Sequence, residues 1–323
     1  MATAAVIIPN YNYAQFVGEA VASVFEQHVP ADDVLVIDDG STDDSRSVLD
    51  SLAARYGARL RVVYNDRNLG IVPTFAKAVG LTTTDYVSFL GADNRMKPDY
   101  IGRCKATLDA NPTAGVAYID LVIFGPLAEE LAAKVDAERV AGGRTFAWRF
   151  SDPTPETLAL LPSKNFIDGN SMFRRTAYDA AGGFRPSERA EDHDLFVRMV
   201  QAGFLPVHVP EALVEYRQHS REQANQVQLA ERQLKAYRSA FEAELVAEGE
   251  LRAELERVKA LLESTRSTFP TRTPGEAAAT MLVNLLAPHR RHAVRHALSL
   301  AVAKVRGEPT PPTPPEVLTD DTI

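Results

Sequence analysis

Three short apolar runs, each ending abruptly in polar residues, constrain this chain more than any other feature. Ala4 to Ile8 runs into Pro9-Asn10-Tyr11-Asn12. Val34 to Ile37 runs into Asp38-Asp39-Gly40-Ser41, and Tyr86 to Leu90 into Gly91-Ala92-Asp93-Asn94. Short apolar runs bounded by turn formers read as buried strands. Between them lies helical spacing: Phe16, Ala20, Val21, Val24 and Phe25 mark a helix within 14–27, and residues 72–80 mark another. Strands alternating with helices predict a mainly parallel sheet flanked by helices on both faces. Ligands of such sheets bind beyond the carboxyl ends of the strands. The three polar clusters should therefore share one rim and build a site there. Asp93 sharpens this expectation, because a carboxylate at the end of a core strand is costly unless something pairs with it.

The alternation continues. Leu60 to Tyr64 reads as a strand, and Ser41 or Thr42 is expected to cap the helix before it. Pro98 is expected to open a helix reaching about Ala110, followed by a strand over Val116 to Phe124. Residues 126–165 lose the pattern around Gly142-Gly143 and "SDPTPE", and read as a flexible, variable insertion. Order returns at "NFIDGNSMFRRTAYDAAGGF", a strand into a helix. A helix over 191–202 opens with Glu191, Asp192 and Asp194, acids suited to its positive end, and His193 beside them is expected to face solvent. Two short strands, over 205–209 and 213–216, complete the compact part.

From about Glu222 the composition shifts to Ala, Glu, Leu, Arg, Lys and Gln. Leu251, Leu255, Val258 and Leu262 form a short coiled-coil-like seam, suited to packing within the chain or to a homo-oligomer. Residues 274–306 predict a last helical region carrying His289, Arg290, Arg291, His292, Arg295 and His296 beside Val294, Leu298, Leu300 and Val302. A basic amphipathic helix fits peripheral contact with an anionic membrane surface, and equally a packed helix with a solvated basic face. "EPTPPTPPEV" reads as a disordered or polyproline tail. The expected organisation is 1–221, 222–306 and 307–323. The net charge of -8 argues against a nucleic-acid partner. A single cysteine, Cys104, excludes an intrachain disulfide framework and a cysteine-rich zinc site, and suits a reducing cytoplasm. The opening "MATAAVIIPNYN" is too short and uncharged for a signal peptide, and no apolar run approaches the roughly 20 residues of a membrane span.

Six pieces occur in a telling order: "VIIPNYNYAQFVGEAVASVFEQ", "VLVIDDGSTDDS", "NLG", "FLGADN", "GNSMFRR" and "AEDHDL". Over about residues 4–220 the chain resembles family 2 glycosyltransferases of the GT-A fold, an α/β, Rossmann-like nucleotide-diphospho-sugar transferase architecture. The resemblance implies inverting transfer of a sugar from a nucleotide sugar, with UDP favoured, to a hydroxyl of a glycan or lipid-linked acceptor. A divalent cation, Mn2+ or Mg2+, is implied as cofactor. So is a cytoplasmic enzyme, free or peripheral at the inner face of the plasma membrane.

Residue by residue, Asp93 matches the metal position; its alternative is to cap the turn before Pro98. Gly91 departs from the family pattern where a first Asp is common, and Asn94 where a further Asp is frequent. Tyr11 and Asp39 match the nucleoside contacts, one offering an aromatic face and the other an acceptor for a ring N–H. Pro9, Asn68 and Ala92 fall at adjoining nucleotide positions, as does Asp38, which can instead cap the next helix. Asp192 matches the general base that takes the acceptor proton; its alternative, with Glu191 and Asp194, is to complement the helix dipole. Asn170, Ser171 and Glu191 match sugar contacts. In "EYRQHS", Arg217 matches a phosphate contact and His219 a further metal ligand. Arg174 and Arg175 read as surface charge. The competing reading is a catalytically inactive nucleotide-binding scaffold acting through its helical tail: Gly91 favours it, while Asp39, Asp93 and Asp192 oppose it. A sugar nucleotidyltransferase is excluded because "IPNYNYAQF" lacks a glycine-rich loop with basic residues.

Overall fold

A computed structural model describes residues 2–140, 143–187 and 189–219. The chain separates into two units, Met1–His219 and Ser220–Ile323. The helical region, seam, basic helix and Pro-rich tail expected over 222–323 lie outside the described residues.

The first half alternates strictly: β1 (Ala4–Asn10), α1 (Val17–Phe25), β2 (Asp33–Asp38), α2 (Ser45–Tyr56), β3 (Arg61–Tyr64), α3 (Ile71–Gly80) and β4 (Tyr86–Phe89). The strands lie in the order β3-β2-β1-β4, all parallel. Ala4 to Ile8 are fully buried, as expected of a strand covered on both faces. Side-chain alternation divides the core in two. Val6 and Ile8 join Val36, Val21 and Leu49 on one face; Ile7 joins Ile37, Phe89 and Ala78 on the other.

The second half is built differently. It comprises β5 (Arg95–Met96), α4 (Tyr100–Ala110), β6 (Ala114–Phe124), α5 (Ala128–Val135), β7 (Glu138–Arg139), β8 (Phe146–Trp148), α6 (Pro155–Leu160), β9 (Met172–Arg174), α7 (Arg175–Ala180), α8 (Glu191–Gln201) and β10 (Leu205–Arg217). β9 comes late in sequence yet sits between β4 and β6, antiparallel to both. β10 runs parallel to β6, and β5 pairs antiparallel with β10. The sheet is therefore mixed, with its principal strands parallel.

Several local expectations change. Arg174 and Arg175 are staples, not surface charge. Arg174 donates to Ala114 O at 2.9 Å and Leu108 O at 2.8 Å; Arg175 donates to Thr84 O at 2.6 Å and Thr82 Oγ1 at 2.7 Å. Together they seat β9 in its gap. The two strands expected over 205–216 are one, with register shifts on either side of Ala212 that absorb Pro210 and Glu211. α2 begins at Ser45 with Asp44 at its cap position, and Asp43 Oδ1 accepts from Ser45 N at 2.9 Å, so neither Ser41 nor Thr42 caps it. α4 opens at Tyr100, after Pro98. The insertion, read as flexible, carries α5, β7, β8 and α6, with β8 hydrogen-bonded along β6.

Candidate active site

The rim beyond β1, β2 and β4 is assembled from hydrogen bonds among its own polar residues. Asn10 donates its amide to Asp38 Oδ2 at 2.7 Å, and Ser41 donates to the same carboxylate through its N–H at 3.0 Å and its hydroxyl at 2.6 Å. Asp38 thus closes the turn after β2 and locks it to β1. Asp39 points toward the next loop. It accepts from Asn65 Nδ2 at 2.8 Å, Leu69 N at 2.9 Å and Gly70 N at 2.9 Å. A carboxylate near the first N–H groups of α3 is electrostatically favourable. Asn65 is itself oriented by Lys77, whose ammonium reaches Asn65 Oδ1 at 2.6 Å. A carboxylate offers about four lone-pair sites, so these three donors leave Asp39 acceptor capacity. Asn68 Oδ1 accepts from Gly70 N at 2.9 Å.

Gly40 lets the two loops meet. Its φ of +70° suits glycine, and a Cβ there would come within 2.5–2.7 Å of the Arg67–Asn68 backbone. Tyr11 is 42% exposed at this rim, Pro9 is half-buried, and the Ala92 side chain is buried.

The loop after β4 joins this half to the other. Asp93 Oδ2 lies 3.3 Å from His219 Nε2. That spacing fits two neighbouring ligands of one hard divalent cation, which at about 2.1–2.2 Å each sit roughly 3 Å apart. Among the described residues, no group of three or more His, Cys, Asp or Glu side chains converges as a metal site. The pair therefore fits a cation whose remaining positions are filled by ligand or water oxygens. The His219 ring packs between Phe16 at 4.5 Å and Tyr13 at 5.5 Å. Arg217 braces the loop from β10: it donates to Asp93 O at 2.7 Å and Glu19 Oε2 at 2.6 Å, with its guanidinium over Phe16 and Phe124.

Gly91 and Asn94, the two departures from the family pattern, have a physical account. A Cβ on Gly91 would meet Asn94 Nδ2 at 2.8 Å and Asp93 Oδ1 at 2.9 Å, so the space beside residue 91 is already filled by those side chains. Asn94 uses both ends of its amide: Oδ1 accepts from Arg217 N at 2.9 Å, and Nδ2 reaches Asn170 Oδ1 at 3.5 Å. An Asp there would lose the donor end.

The turn 168–171 links this loop to the acids of α8. Asp168 accepts from Asn170 N at 2.7 Å, and the Ser171 hydroxyl donates to Asp168 O at 2.6 Å. Tyr100 OH donates to Asn170 O. Burial pushes the Asp168 carboxyl up to about 6, against the lowering effect of these bonds. Ser171 is buried with its hydroxyl engaged in the turn, so the turn rather than a sugar hydroxyl occupies it. Asn170 is buried but reaches Gly91 N at 3.4 Å. Gly169 is exposed, and a Cβ on it would lie 2.9 Å from Asp192 Oδ2.

Asp192 and Glu191 are half-buried in the first turn of α8. Asp194, in the same turn, is structural: it is buried and paired with Arg198 at 2.8 Å. His193 does not face solvent as expected; its Nε2 lies 2.5 Å from Leu161 O. Asp93 and His219, expected as metal ligands, lie side by side. Sequence reasoning missed Asn65, Lys77 and Gly169, whose partners Asp39, Asn65 and Asp192 lie 12 to 26 positions away, and Asp168, which closes its own turn onto Asn170 and Ser171.

An α/β sheet with polar clusters beyond the carboxyl ends of its strands is the architecture of a ligand site at that rim. Residues 5–182 match the profile described as "Glycosyl transferase family 2". The chain belongs to that family. It is 26% identical over 218 residues to EpsE of Bacillus subtilis (strain 168), covering 67% of this chain and 73% of that protein. Two solved structures share the fold at 18% identity. The mannosyltransferase PcManGT from Pyrobaculum calidifontis in complex with GDP-Man and Mn2+ has a TM-score of 0.53, over 94% of this chain and 87% of that one. S. aureus TarS 1-349 in complex with UDP-GlcNAc has a TM-score of 0.52, over the same two shares. Among the described residues no helix is long and apolar enough to cross a membrane.

Proposed function

We propose that this chain transfers a sugar from a nucleotide diphosphate sugar, UDP-linked in preference, to a hydroxyl of a glycan or lipid-linked acceptor, with inversion at the anomeric carbon. The observation that carries the proposal is the continuous path from Asp93 through Asn94 and Asn170 to Gly169 and Asp192. It links the proposed cation-binding carboxylate to the candidate base. Tyr11 offers its ring to the base, and Asp39 accepts from a ring N–H. That acceptor suits uracil, thymine or guanine and disfavours cytosine. Asp93 and His219 hold the divalent cation, Mn2+ or Mg2+, which when bound neutralises charge on the departing diphosphate. Arg217 keeps Asp93 in place through its backbone carbonyl. Asp192 takes the acceptor proton as the hydroxyl attacks, with Glu191 and Asn170 beside the sugars. Gly91 counts little toward an inactive scaffold, because the space beside it is filled by Asp93 and Asn94.

The test is release of UDP from a panel of UDP-sugars, with and without Mn2+. Metal-dependent turnover above background is expected for at least one sugar. Saturable UDP binding with no turnover on any sugar, with or without candidate glycan acceptors, would favour the scaffold reading.

A further inference from the structure

Residues 149–163 are tied down at both ends by groups that the transfer chemistry leaves unused. At the near end, His208 on β10 bridges two carboxylates. Its Nε2 lies 3.0 Å from Asp120 Oδ1 on β6, and its Nδ1 lies 2.8 Å from Asp152 Oδ1 in the segment. The imidazole is only 7% exposed, while Asp152 is 78% exposed. Tyr118 lies flat on the ring, with centroids 4.7 Å apart and planes at 11°. Asp120 Oδ1 also accepts from Phe150 N at 2.9 Å, and Tyr118 OH donates to Ser151 O at 2.6 Å. Phe150, Ser151 and Asp152 are thus each held by a different residue of the sheet. At the far end, His193 Nε2 meets Leu161 O, and Arg189 Nε donates to Pro162 O at 3.0 Å. These anchors flank Asp192 in sequence.

Ionised carboxylates only accept hydrogen bonds. A ring with a carboxylate oxygen at each nitrogen must carry a proton on both, and is an imidazolium. Loss of one proton turns one contact into lone pair against carboxylate. Asp120 is buried and also holds Phe150, so Asp152, which can turn to water, is the arm that releases. We propose that residues 149–163 form a strap beside Asp192, latched at Asp152 by the His208 imidazolium, and that the latch opens when His208 loses its proton. Its bearing on transfer rests on Asp192 being the base; the latch itself stands on the geometry.

The charged groups facing His208 come from β6 (Asp120) and from the strap (Asp152), and Tyr118 is the titratable group stacked on it. On α8, which packs on the same face, Asp194 and Arg198 are paired with each other. Burial alone would lower the His208 pKa. The bonds to Asp120 and Asp152 outweigh it and hold the pKa above the ordinary imidazole value. A folded-state pKa raised in this way gives stabilisation that is complete below the unfolded pKa and lost as pH rises through the folded one. The latch is therefore closed below the ordinary imidazole pKa and opens as pH rises through the raised folded-state value.

Hydrogen–deuterium exchange of the full chain from pH 6 to 9.5, corrected for the intrinsic pH dependence of exchange, tests this directly. Protection of amides 150–158 should fall at least about tenfold across that range while β1 stays protected. Asp152→Asn, at an exposed position, removes one of the two carboxylates and should move the fall to lower pH. His208→Gln should abolish the pH dependence. Protection independent of pH in the native chain, or a fall at the same pH in Asp152→Asn, would overturn the latch. UDP titration of Asp152→Asn separates the two readings: unchanged binding is expected, and loss of UDP binding in both proteins would strike the proposed function and leave the latch intact.

Discussion

The two halves of the sheet solve the same problem by different means. From β1 to β4, strands follow one another in parallel, and their rim loops are closed by neighbours along the fold: Asp38 by Asn10 and Ser41, Asp39 by Asn65, Leu69 and Gly70. From β6 to β10, an antiparallel strand is threaded into a gap, and the loops are held by side chains remote in sequence. Arg217 reaches Asp93 across 124 positions, and His208 reaches Asp120 across 88. The first half is a preformed cradle suited to a ligand of fixed chemistry, such as a nucleotide. The second is a set of long-range braces that fix the loop after β4 and the segment after β8.

This division can be broken experimentally, beginning with the largest effect. Asp192→Asn should lower turnover by about 10²–10⁴-fold, the usual contribution of a general base, while UDP affinity changes little; near-normal UDP release by the variant would remove Asp192 from that role. Asp93→Ala should weaken Mn2+-dependent UDP binding by at least about tenfold, as read by calorimetry, and unchanged metal dependence would sink the Asp93–His219 assignment. Gly169→Ala places a methyl 2.9 Å from Asp192 Oδ2. It should reduce kcat roughly 10- to 100-fold through misplacement of the carboxylate, with UDP binding intact, so a loss of UDP binding would mean the turn serves the donor side.

The smallest effect concerns Asp168. Its folded pKa of about 6 lies above its ordinary 3.8, so its contribution to stability is complete below pH 4 and is lost as pH rises toward 6. The cost above pH 6 is about 3 kcal/mol. Asp168→Asn should therefore gain stability relative to the native chain between pH 4.5 and 7.5 in urea unfolding. A constant difference at both pH values would show that Asp168 titrates normally.

Much of the first half was legible because its signals are local. A run such as Val34 to Ile37 followed by Asp38-Asp39-Gly40 carries its strand, its end and its turn within a few residues. Asp93 with His219 was legible only through motif resemblance, since spacing along the chain does not bring them together. Most of the second half was not legible. Nothing local to "SDPTPE" announces that His208 and Tyr118 will hold it, and nothing in "FRR" shows that both arginines face backbone carbonyls. Pro210-Glu211 read as a break between strands because a bulge is visible only against its partner β6. Gly91 read as a loss; its neighbours Asp93 and Asn94 fill the space in three dimensions.

The most direct measurement is calorimetric titration of the full chain with UDP, dTDP and GDP, each with and without Mn2+. The Asp39 and Asp93 sites predict metal-dependent binding of at least one of the three, UDP by the proposed function, weakened by Asp93→Ala. Binding of none of the three, or binding indifferent to Mn2+ and to Asp93, would contradict it.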